Sequence, residues 1–359
     1  MKQEEKVIIE LPETCKTDIR AIAYEDLKSW VISNGESAFR ASQIYSWLWQ
    51  KSVTDFSEMT NLSKIFREKL DQQFEILPVK LDKKQISEDG TIKFRFRLHD
   101  NHLIESVLIP VPDDQRYTVC VSTQVGCSLT CAFCATGQMK RVRNLSAAEI
   151  YDQVVLVNNA SLLTYGHPLT NIVYMGMGEP LLAYQSTLDS INLICSENGL
   201  NMSPKRITVS TAGIAKMIRK LADDDVKVNL ALSLHAADDE KRNLIMPINE
   251  HNNLEVLMEA LQYFYRKTKN KISYEYIAFK GFNDSEEDAR KLAYWCKSFP
   301  VKVNIIEYNP VDGLEFHKSD SDQIDKFAKK LRHADVMVTV RRSRGKDIDA
   351  ACGQLANKD

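Results

Sequence analysis

The feature that most constrains the fold of this chain is an alternation of strand and helix patterns through its last two thirds. Apolar stretches rich in β-branched residues recur there, separated by segments with apolar residues at three- and four-residue spacing. The predicted strands are residues 117–124, 171–176, 206–211, 227–235, 272–279, 301–309 and 336–343. The predicted helices are residues 146–159, 187–198, 214–224, 253–269, 285–299 and 321–334. Strands joined by helices in this way form a parallel sheet.

These strand–helix units predict an α/β fold, a partial (β/α)6 barrel over residues 116–343. In such barrels the loops that follow the strands gather at one end and carry the active site. Helical spacing over residues 21–76 predicts a small helical domain, and alternation over residues 77–115 predicts a short β-hairpin extension. Residues 1–20 and 344–359 show neither period, and we expect an N-terminal and a C-terminal tail there.

Composition limits the classes of protein to which this chain can belong. Its apolar content of 44% and charged content of 27% are those of a globular protein. No stretch reaches the roughly 18 apolar residues of a membrane span, and the N-terminus is charged where a secretory signal needs an apolar run. We therefore expect a cytoplasmic protein, a monomer with no membrane partner. In that compartment its 8 cysteines favour metal or redox chemistry over structural disulfides.

Cys127, Cys131 and Cys134 lie in one loop, directly after the first predicted strand, with C-x3-C-x2-C spacing. A structural zinc site needs four protein ligands. Thiolates also hold iron–sulfur clusters, and three of them leave one iron of a cubane open to a further ligand. The spacing therefore favours a catalytic 4Fe-4S cluster, and a zinc site completed from elsewhere in the chain is the alternative.

Glycines and small polar residues stand at the ends of the other predicted strands. The loop after the second strand contains Gly178 and Glu179, where a glycine allows close backbone approach and a carboxylate can accept an ammonium group. The later strand ends contribute Ser210, Ser233, Leu234, His235 and Asn309. We expect these residues to line one ligand site. For His235 a place in the core is the alternative, and we do not predict a catalytic role for it.

Basic residues are balanced overall, with 47 lysines and arginines against 49 acidic residues. Two local clusters stand out, one at residues 140–143 and one at residues 341–346. Such a cluster is either a solvated face or a contact for nucleic-acid phosphates. The sequence leaves both possibilities open.

The chain resembles the RlmN/Cfr family of radical SAM RNA adenine methyltransferases in five segments: CVSTQVGCSLTCAFCATG, YMGMGEPLL, VNLALSLHAADDE, MPIN and RGKDIDAACGQL. The resemblance extends from about Glu105 to Leu355. It implies that the three loop cysteines hold a 4Fe-4S cluster whose open iron binds S-adenosyl-L-methionine (SAM), and that the strand-end residues bind the rest of SAM. Pro180 resembles the RlmN branch, because Cfr has GMGEA at this loop.

The resemblance also implies a mechanism that uses two SAM molecules per turnover. The Cys352 thiol takes a methyl group from the first, giving S-methylcysteine, and the second supplies a radical that activates this methyl group. The methyl carbon then adds to carbon 2 of an adenine, and Cys120 attacks Cys352, which releases the product and leaves a disulfide. Glu105 is the implied proton acceptor. Basic residues nearby are expected to favour the thiolate forms.

The substrates implied by the resemblance are an adenosine of 23S rRNA and the adenosine beside the anticodon of some tRNAs. The helical domain would bind RNA, and a flavodoxin or ferredoxin would reduce the cluster. Two alternatives remain: Cfr-type methylation of adenine carbon 8, and a non-catalytic, zinc-stabilised RNA-binding protein.

Overall fold

The computed structural model describes residues 16–358, which fall into two compact units, one ending at Leu77 and the other beginning at Pro78. The part of the predicted N-terminal tail before residue 16 lies outside the described residues. Among the described residues, no helix is both long enough and apolar enough to cross a lipid bilayer.

The first unit, within its described residues, is built from short helices and a pair of two-residue parallel strands. Its elements are β1 (Thr17–Asp18), α1 (Tyr24–Ser33), α2 (Phe39–Trp49), α3 (Lys64–Gln73) and β2 (Phe74–Glu75). Apolar residues at helical spacing face inward, among them Leu27 and Val31 of α1 and Ile44 of α2. The chain turns after α1 at Gly35, whose φ of +83° favours glycine.

The second unit begins with an antiparallel meander of β3 (Lys80–Ile86), β4 (Ile92–Arg97) and β5 (Leu103–Val111), followed by β6 (Arg116–Cys120). The register places Val107 of β5 opposite Cys120 of β6. The predicted hairpin has a third strand, β3, which the sequence did not indicate because β3 is the sheet edge and all of its residues are exposed or half-exposed, so it lacks an apolar face.

The remaining elements alternate between strands and helices. They are β7 (Gln124–Val125), β8 (Arg143–Asn144), α4 (Ala147–Tyr165), β9 (Asn171–Tyr174), α5 (Tyr184–Cys195), β10 (Ile207–Thr211), α6 (Ala215–Asp223), β11 (Asn229–Ser233), α7 (Asp239–Ile245), α8 (Leu254–Thr268), β12 (Ile272–Ala278), α9 (Glu286–Trp295), β13 (Val301–Glu307), α10 (Ser321–His333) and β14 (Met337–Arg341). One sheet has the order β14-β13-β12-β11-β10-β9-β6-β5-β4-β3, parallel from β14 to β6. The predicted α/β fold class is confirmed.

The first predicted strand is interrupted. Strand β6 ends at Cys120, and β7 leaves the main sheet to pair with β8. The N–H groups of Thr123 and Gln124 both donate to the Met177 carbonyl, so the chain here follows the loop after β9 rather than the strand itself. This turn directs the cysteine loop across the carboxyl end of the sheet.

Candidate active site

The carboxyl ends of the parallel strands open on two cavities that share residues. The first is lined by the predicted residues Cys127, Cys131, Cys134, Gly178, Glu179, Ser210, Ser233, His235 and Cys352. The second, of about 550 Å³, is also lined by Cys134 and Cys352 and adds Cys120. Leu234, Asn309 and Glu105 were predicted for the site but line neither cavity.

Glycines hold the cysteine loop close to its own backbone. Gly126 has a φ of +72°, and a Cβ there would lie 2.2 Å from the Lys140 carbonyl oxygen. A Cβ at Gly137 would lie 2.8 Å from the Cys131 carbonyl oxygen. Because real Cβ atoms do not approach backbone so closely, side chains at these two positions would displace the loop.

The middle of the cysteine loop is fixed by packing. The Ala132 N–H donates to the Ile245 carbonyl at 2.9 Å, which ties the loop to the end of α7. Phe133 is buried between His235 and Phe279, at ring-centroid distances of 4.8 and 5.6 Å. The aromatic residue before the last cysteine therefore anchors the loop to the ends of β11 and β12.

The three loop cysteines are half-buried, and desolvation raises the pKa of each thiol, that of Cys127 to about 11. Without a positive partner they are therefore neutral thiols. Among residues 16–358, no three His, Cys, Asp or Glu side chains converge where one metal ion could bind, whereas the zinc alternative requires four ligands. Three soft donors that face one cavity, beside polar strand ends, fit an iron–sulfur cluster with one iron left for a second ligand.

Glu179 lies buried in the loop after β9. Its carboxylate accepts hydrogen bonds from the N–H groups of Leu181 at 3.0 Å and Ala212 at 2.8 Å, while its own N–H donates to Gln124 Oε1. Burial outweighs these bonds and raises the pKa of Glu179 to about 7. A carboxyl group in this environment is poised to gain a cationic partner, because an ammonium group in the cavity would stabilise its ionised form.

Ser210 and Ser233 end β10 and β11, and their hydroxyls lie 3.4 Å apart on the cavity wall. The side chain of Leu234, by contrast, is buried, and its carbonyl accepts a hydrogen bond from Arg242 Nε at 3.1 Å. The two serines thus face the cavity, whereas Leu234 does not, and the predicted contact of Leu234 to SAM stays a prediction.

His235 has a left-handed φ of +55° and lies buried. Its Nδ1 accepts from the Ile277 N–H at 3.1 Å, and its carbonyl accepts from Asn283 Nδ2 at 2.6 Å. Burial, aided by the charge of Arg242, lowers the pKa of His235 to about 3, so the ring stays neutral. These bonds are those of a core histidine whose ring edge reaches the cavity.

The C-terminal tail is hydrogen-bonded to the cysteine loop directly after Cys352. The Ala135 N–H donates to the Gly353 carbonyl at 2.7 Å, and the Thr136 hydroxyl donates to the Leu355 carbonyl at 2.6 Å. Asn309 Nδ2 donates to the Cys352 carbonyl at 3.4 Å. Asn309 therefore contacts the tail at Cys352, and its predicted contact to SAM stays a prediction.

The Cys352 side chain is exposed in the two cavities, although protein atoms surround it. Cys120 is buried on β6. Burial raises the pKa of both thiols, and the Cys352 thiol adds to the shift of Cys120. The positive charge of Arg341 lowers the pKa of Cys352 but is outweighed by burial. The predicted preference for thiolates is therefore wrong for the protein in this state, because desolvation exceeds the effect of the nearby cation.

Glu105 is buried on β5, and its Oε2 accepts hydrogen bonds from the N–H groups of Ala356 and Asn357 at 2.9 and 3.2 Å. Its Oε1 has no hydrogen bond and faces Lys93 Nζ at 3.5 Å. The carboxylate thus contacts the tail that carries Cys352 and does not line the cavity wall.

The predicted basic clusters are largely engaged inside the protein. Arg143 binds Glu149 at 2.8 Å and Asp100 at 2.6 Å. Arg342 and Lys346 both bind the buried carboxylate of Glu307, at 2.7 and 2.9 Å. These three cations organise loops around the site, which accounts for them without a phosphate contact.

Arg242 of α7 was missed by sequence reasoning. It is fully buried and donates to the carbonyls of Leu234, Ala212 and Ser233, so it holds the ends of β10 and β11 together. The sequence around it, AADDEKRN, reads as a charged, solvated segment. Its place directly after a strand that ends in the site was the one available signal.

Comparison with known families agrees with this geometry. Residues 121–293 match the radical SAM superfamily, and residues 17–76 match the ribosomal RNA large subunit methyltransferase N-terminal domain. A crystal structure of a radical SAM methyltransferase from Sphaerobacter thermophilus is 37% identical, with a TM-score of 0.89 over 95% of this chain and 100% of that one. The fold and the three-cysteine site define a radical SAM methyltransferase, which implies a 4Fe-4S cluster and SAM as cofactors.

Two curated relatives show to which family of radical SAM methyltransferases the chain belongs. The probable dual-specificity RNA methyltransferase RlmN of Cytophaga hutchinsonii is 56% identical over 96% of this chain and 94% of its own length. The dual-specificity RNA methyltransferase RlmN 2 of Myxococcus xanthus is 44% identical over 95% of this chain and 91% of its own length. The chain belongs to the RlmN family of radical SAM RNA methyltransferases.

Proposed function

We propose that this protein methylates carbon 2 of a specific adenosine in 23S rRNA and of the adenosine beside the anticodon of some tRNAs. The observation that carries the proposal is the position of Cys352. Its tail is hydrogen-bonded to the cysteine loop, and Cys352 lines one cavity with the three loop cysteines and another with Cys120. The resolving thiol must reach the sulfur of the methyl carrier, and a cavity lined by both Cys120 and Cys352 allows this.

The residues that would hold the cofactors are those of the first cavity. Cys127, Cys131 and Cys134 would ligate the cluster, and the remaining wall would bind SAM through Gly178, Glu179, Ser210, Ser233 and the edge of His235. When bound, the cluster would supply the electron that turns SAM into a source of radicals. Leu234 and Asn309 remain predicted contacts to SAM, and they also bond to Arg242 and to the tail, respectively.

Cys352 and Cys120 would divide the chemistry of the methyl group. The Cys352 sulfur would carry the methyl carbon to adenine, and Cys120 would then attack this sulfur and free the RNA. Since burial keeps both thiols neutral, each must lose its proton when it reacts. Glu105 remains our predicted proton acceptor for the base. Its Oε1, which has no hydrogen bond, is the oxygen available for that role.

We further propose that residues 21–76 bind RNA, in keeping with the family that residues 17–76 match. Trp47 is half-buried there, with Lys51 Nζ 3.4 Å from its ring centroid. A tryptophan paired with a cation is a surface on which an unpaired base can stack.

We propose that the protein is a cytoplasmic monomer, and that a flavodoxin or ferredoxin reduces its cluster.

The test is mass spectrometry of nucleosides from rRNA and tRNA of a host that lacks its own enzyme. The host receives either the intact gene or its Cys352→Ala form. We expect 2-methyladenosine with the intact gene alone, and its presence in the tRNA fraction would establish the second substrate. If 8-methyladenosine forms instead, the Cfr-type reaction replaces the one proposed. No methylated adenosine from cluster-loaded protein would refute the RNA substrate.

A further inference from the structure

A buried ion pair on the antiparallel meander is hydrogen-bonded to the C-terminal tail before and after Cys352. Lys93 of β4 and Glu105 of β5 lie 3.5 Å apart, with side chains 5% and 1% exposed. Lys93 Nζ donates to the Asp349 carbonyl at 3.4 Å, three residues before Cys352. Glu105 Oε2 accepts from the N–H groups of Ala356 and Asn357, four and five residues after it.

A buried ion pair costs desolvation free energy, so its presence here needs a physical reason. Burying two charges loses solvation that their attraction does not always restore, and apolar residues of similar size often replace buried pairs without loss of stability. Here the partners of both charges are backbone groups of the tail. The lysine donates to one carbonyl of the half-buried tail, and the carboxylate accepts from two of its N–H groups.

The neighbouring residues of the meander extend the same contact. Arg95 Nη1 donates to the carbonyl of Lys358 at 3.1 Å, and Asn357 Nδ2 donates to the Leu103 carbonyl at 2.8 Å. The meander thus recognises the backbone of residues 349–358 by charge and by hydrogen bonds. It supplies no side chain that faces the cofactor cavity beside the three loop cysteines.

We propose that Lys93 and Glu105 are positioning residues that clamp the C-terminal tail and thereby fix Cys352 at the cavity. The inference rests on the proposed role of Cys352 as methyl carrier. Glu105 then has a second task that does not depend on proton transfer. The antiparallel meander also gains a function in the reaction. A charge-assisted bond is stronger than a neutral one, so the pair holds the tail more firmly than two neutral side chains would.

The experiment uses cluster-loaded protein and the double variant Lys93→Met/Glu105→Leu, which leaves no unpaired charge. Lys93→Arg is the conservative variant, and Lys84→Met on the neighbouring strand is the matched control, because Lys84 is exposed and has no bond to the tail. Hydrogen exchange of the Ala356 and Asn357 amides and the methylated fraction of Cys352 are measured, the latter by peptide mass spectrometry.

We expect the double variant to melt like the parent, while exchange at Ala356 and Asn357 rises about tenfold or more, since each N–H loses a charged acceptor. Methylation of Cys352 should fall several-fold. Lys93→Arg and Lys84→Met should both resemble the parent. Lys93→Met alone keeps the carboxylate that a proton acceptor needs, so loss of Cys352 methylation belongs to positioning where that variant melts like the parent.

Parental exchange rates at Ala356 and Asn357 in the double variant would overturn the clamp. So would an equal rise throughout β4 and β5, because that pattern reports a weakened sheet rather than a freed tail. Faster exchange with unchanged Cys352 methylation would overturn its part in the reaction. If the parent itself carries no methyl group on Cys352, the proposed function fails, whereas the clamp is still decided by the exchange rates.

Discussion

Gly178 shows how backbone conformation shapes the site at the scale of single residues. Its φ is +95°, and a Cβ added there would lie 2.5 Å from the Cβ of Gln124. Gln124 in turn accepts the Glu179 N–H, which sets the carboxyl group predicted to receive the SAM ammonium. The glycine is thus required for close packing as well as for its dihedral angle.

We predict that Gly178→Ala weakens SAM binding by tenfold or more, because Gln124 must move and Glu179 moves with it. Gly281→Ala is the matched control: its φ of +69° imposes similar strain, but a Cβ there meets nothing within 4 Å. Gly281→Ala should lose roughly 1 kcal/mol of stability from the dihedral angle alone, and Gly178→Ala should lose more because of the clash with Gln124. Equilibrium binding of SAM to the cluster-loaded proteins separates them, and equal affinities would contradict the account of Gly178.

At the scale of elements, sequence patterns predicted the strands that are buried on both faces. β9 to β13 stood out as apolar, β-branched stretches because helices cover the parallel sheet, whereas β14, a half-exposed edge strand, was found by its β-branched residues alone. The edge strand β3 gave no such signal, and the short helix α7 lay in a segment that reads as polar. The end of β6 was misplaced because its departure from the sheet depends on hydrogen bonds to Met177, more than 50 residues away in the chain.

Glu307, the last residue of β13, is predicted to stabilise the fold in a way that depends on pH. Burial alone would raise the pKa of Glu307, but hydrogen bonds from Lys346, Arg342 and Lys318 lower it to about 2. Because the folded pKa lies below the ordinary value of 4.5, the stabilisation is complete above pH 4.5 and is lost as pH falls towards 2.

Glu307→Gln should therefore cost about 1–2 kcal/mol near neutral pH, a value reduced by solvent because the three cations are about half exposed. The difference from the parent should shrink between pH 4.5 and 2. Chemical unfolding of both proteins over this range measures it, and Glu255→Gln at an exposed helix position is the control. A difference that stays constant with pH would show that ionisation of Glu307 is not its source.

At the scale of the whole molecule, the site joins parts that are distant in sequence. The barrel strands provide the cavity, the loop after β7 provides three thiols, and the tail provides a fourth. Motif resemblance predicted the cysteines and polar strand ends that line the first cavity, yet it could not show that Asn309 and Glu105 contact the tail. Those contacts arise only from tertiary folding, since they join strands of the sheet to the last residues of the described chain.

The proposed mechanism predicts different outcomes when Cys120 and Cys352 are replaced one at a time. With Cys352 present and Cys120 replaced by alanine, the methyl carbon can bond to adenine but nothing releases it. We therefore expect Cys120→Ala to accumulate a covalent protein–RNA adduct, visible as a ribonuclease-sensitive band of low mobility on denaturing gels. Cys352→Ala has no carrier and should form none, and the double variant should resemble Cys352→Ala.

Cys195→Ala is the matched control, because Cys195 lies on α5 and lines neither cavity. It should turn over normally and leave no adduct. An adduct in the Cys352→Ala protein would assign the covalent bond to another residue. Absence of any adduct in Cys120→Ala, in cells where the parent methylates RNA, would mean that release does not depend on Cys120, and the shared cavity would then need a different explanation.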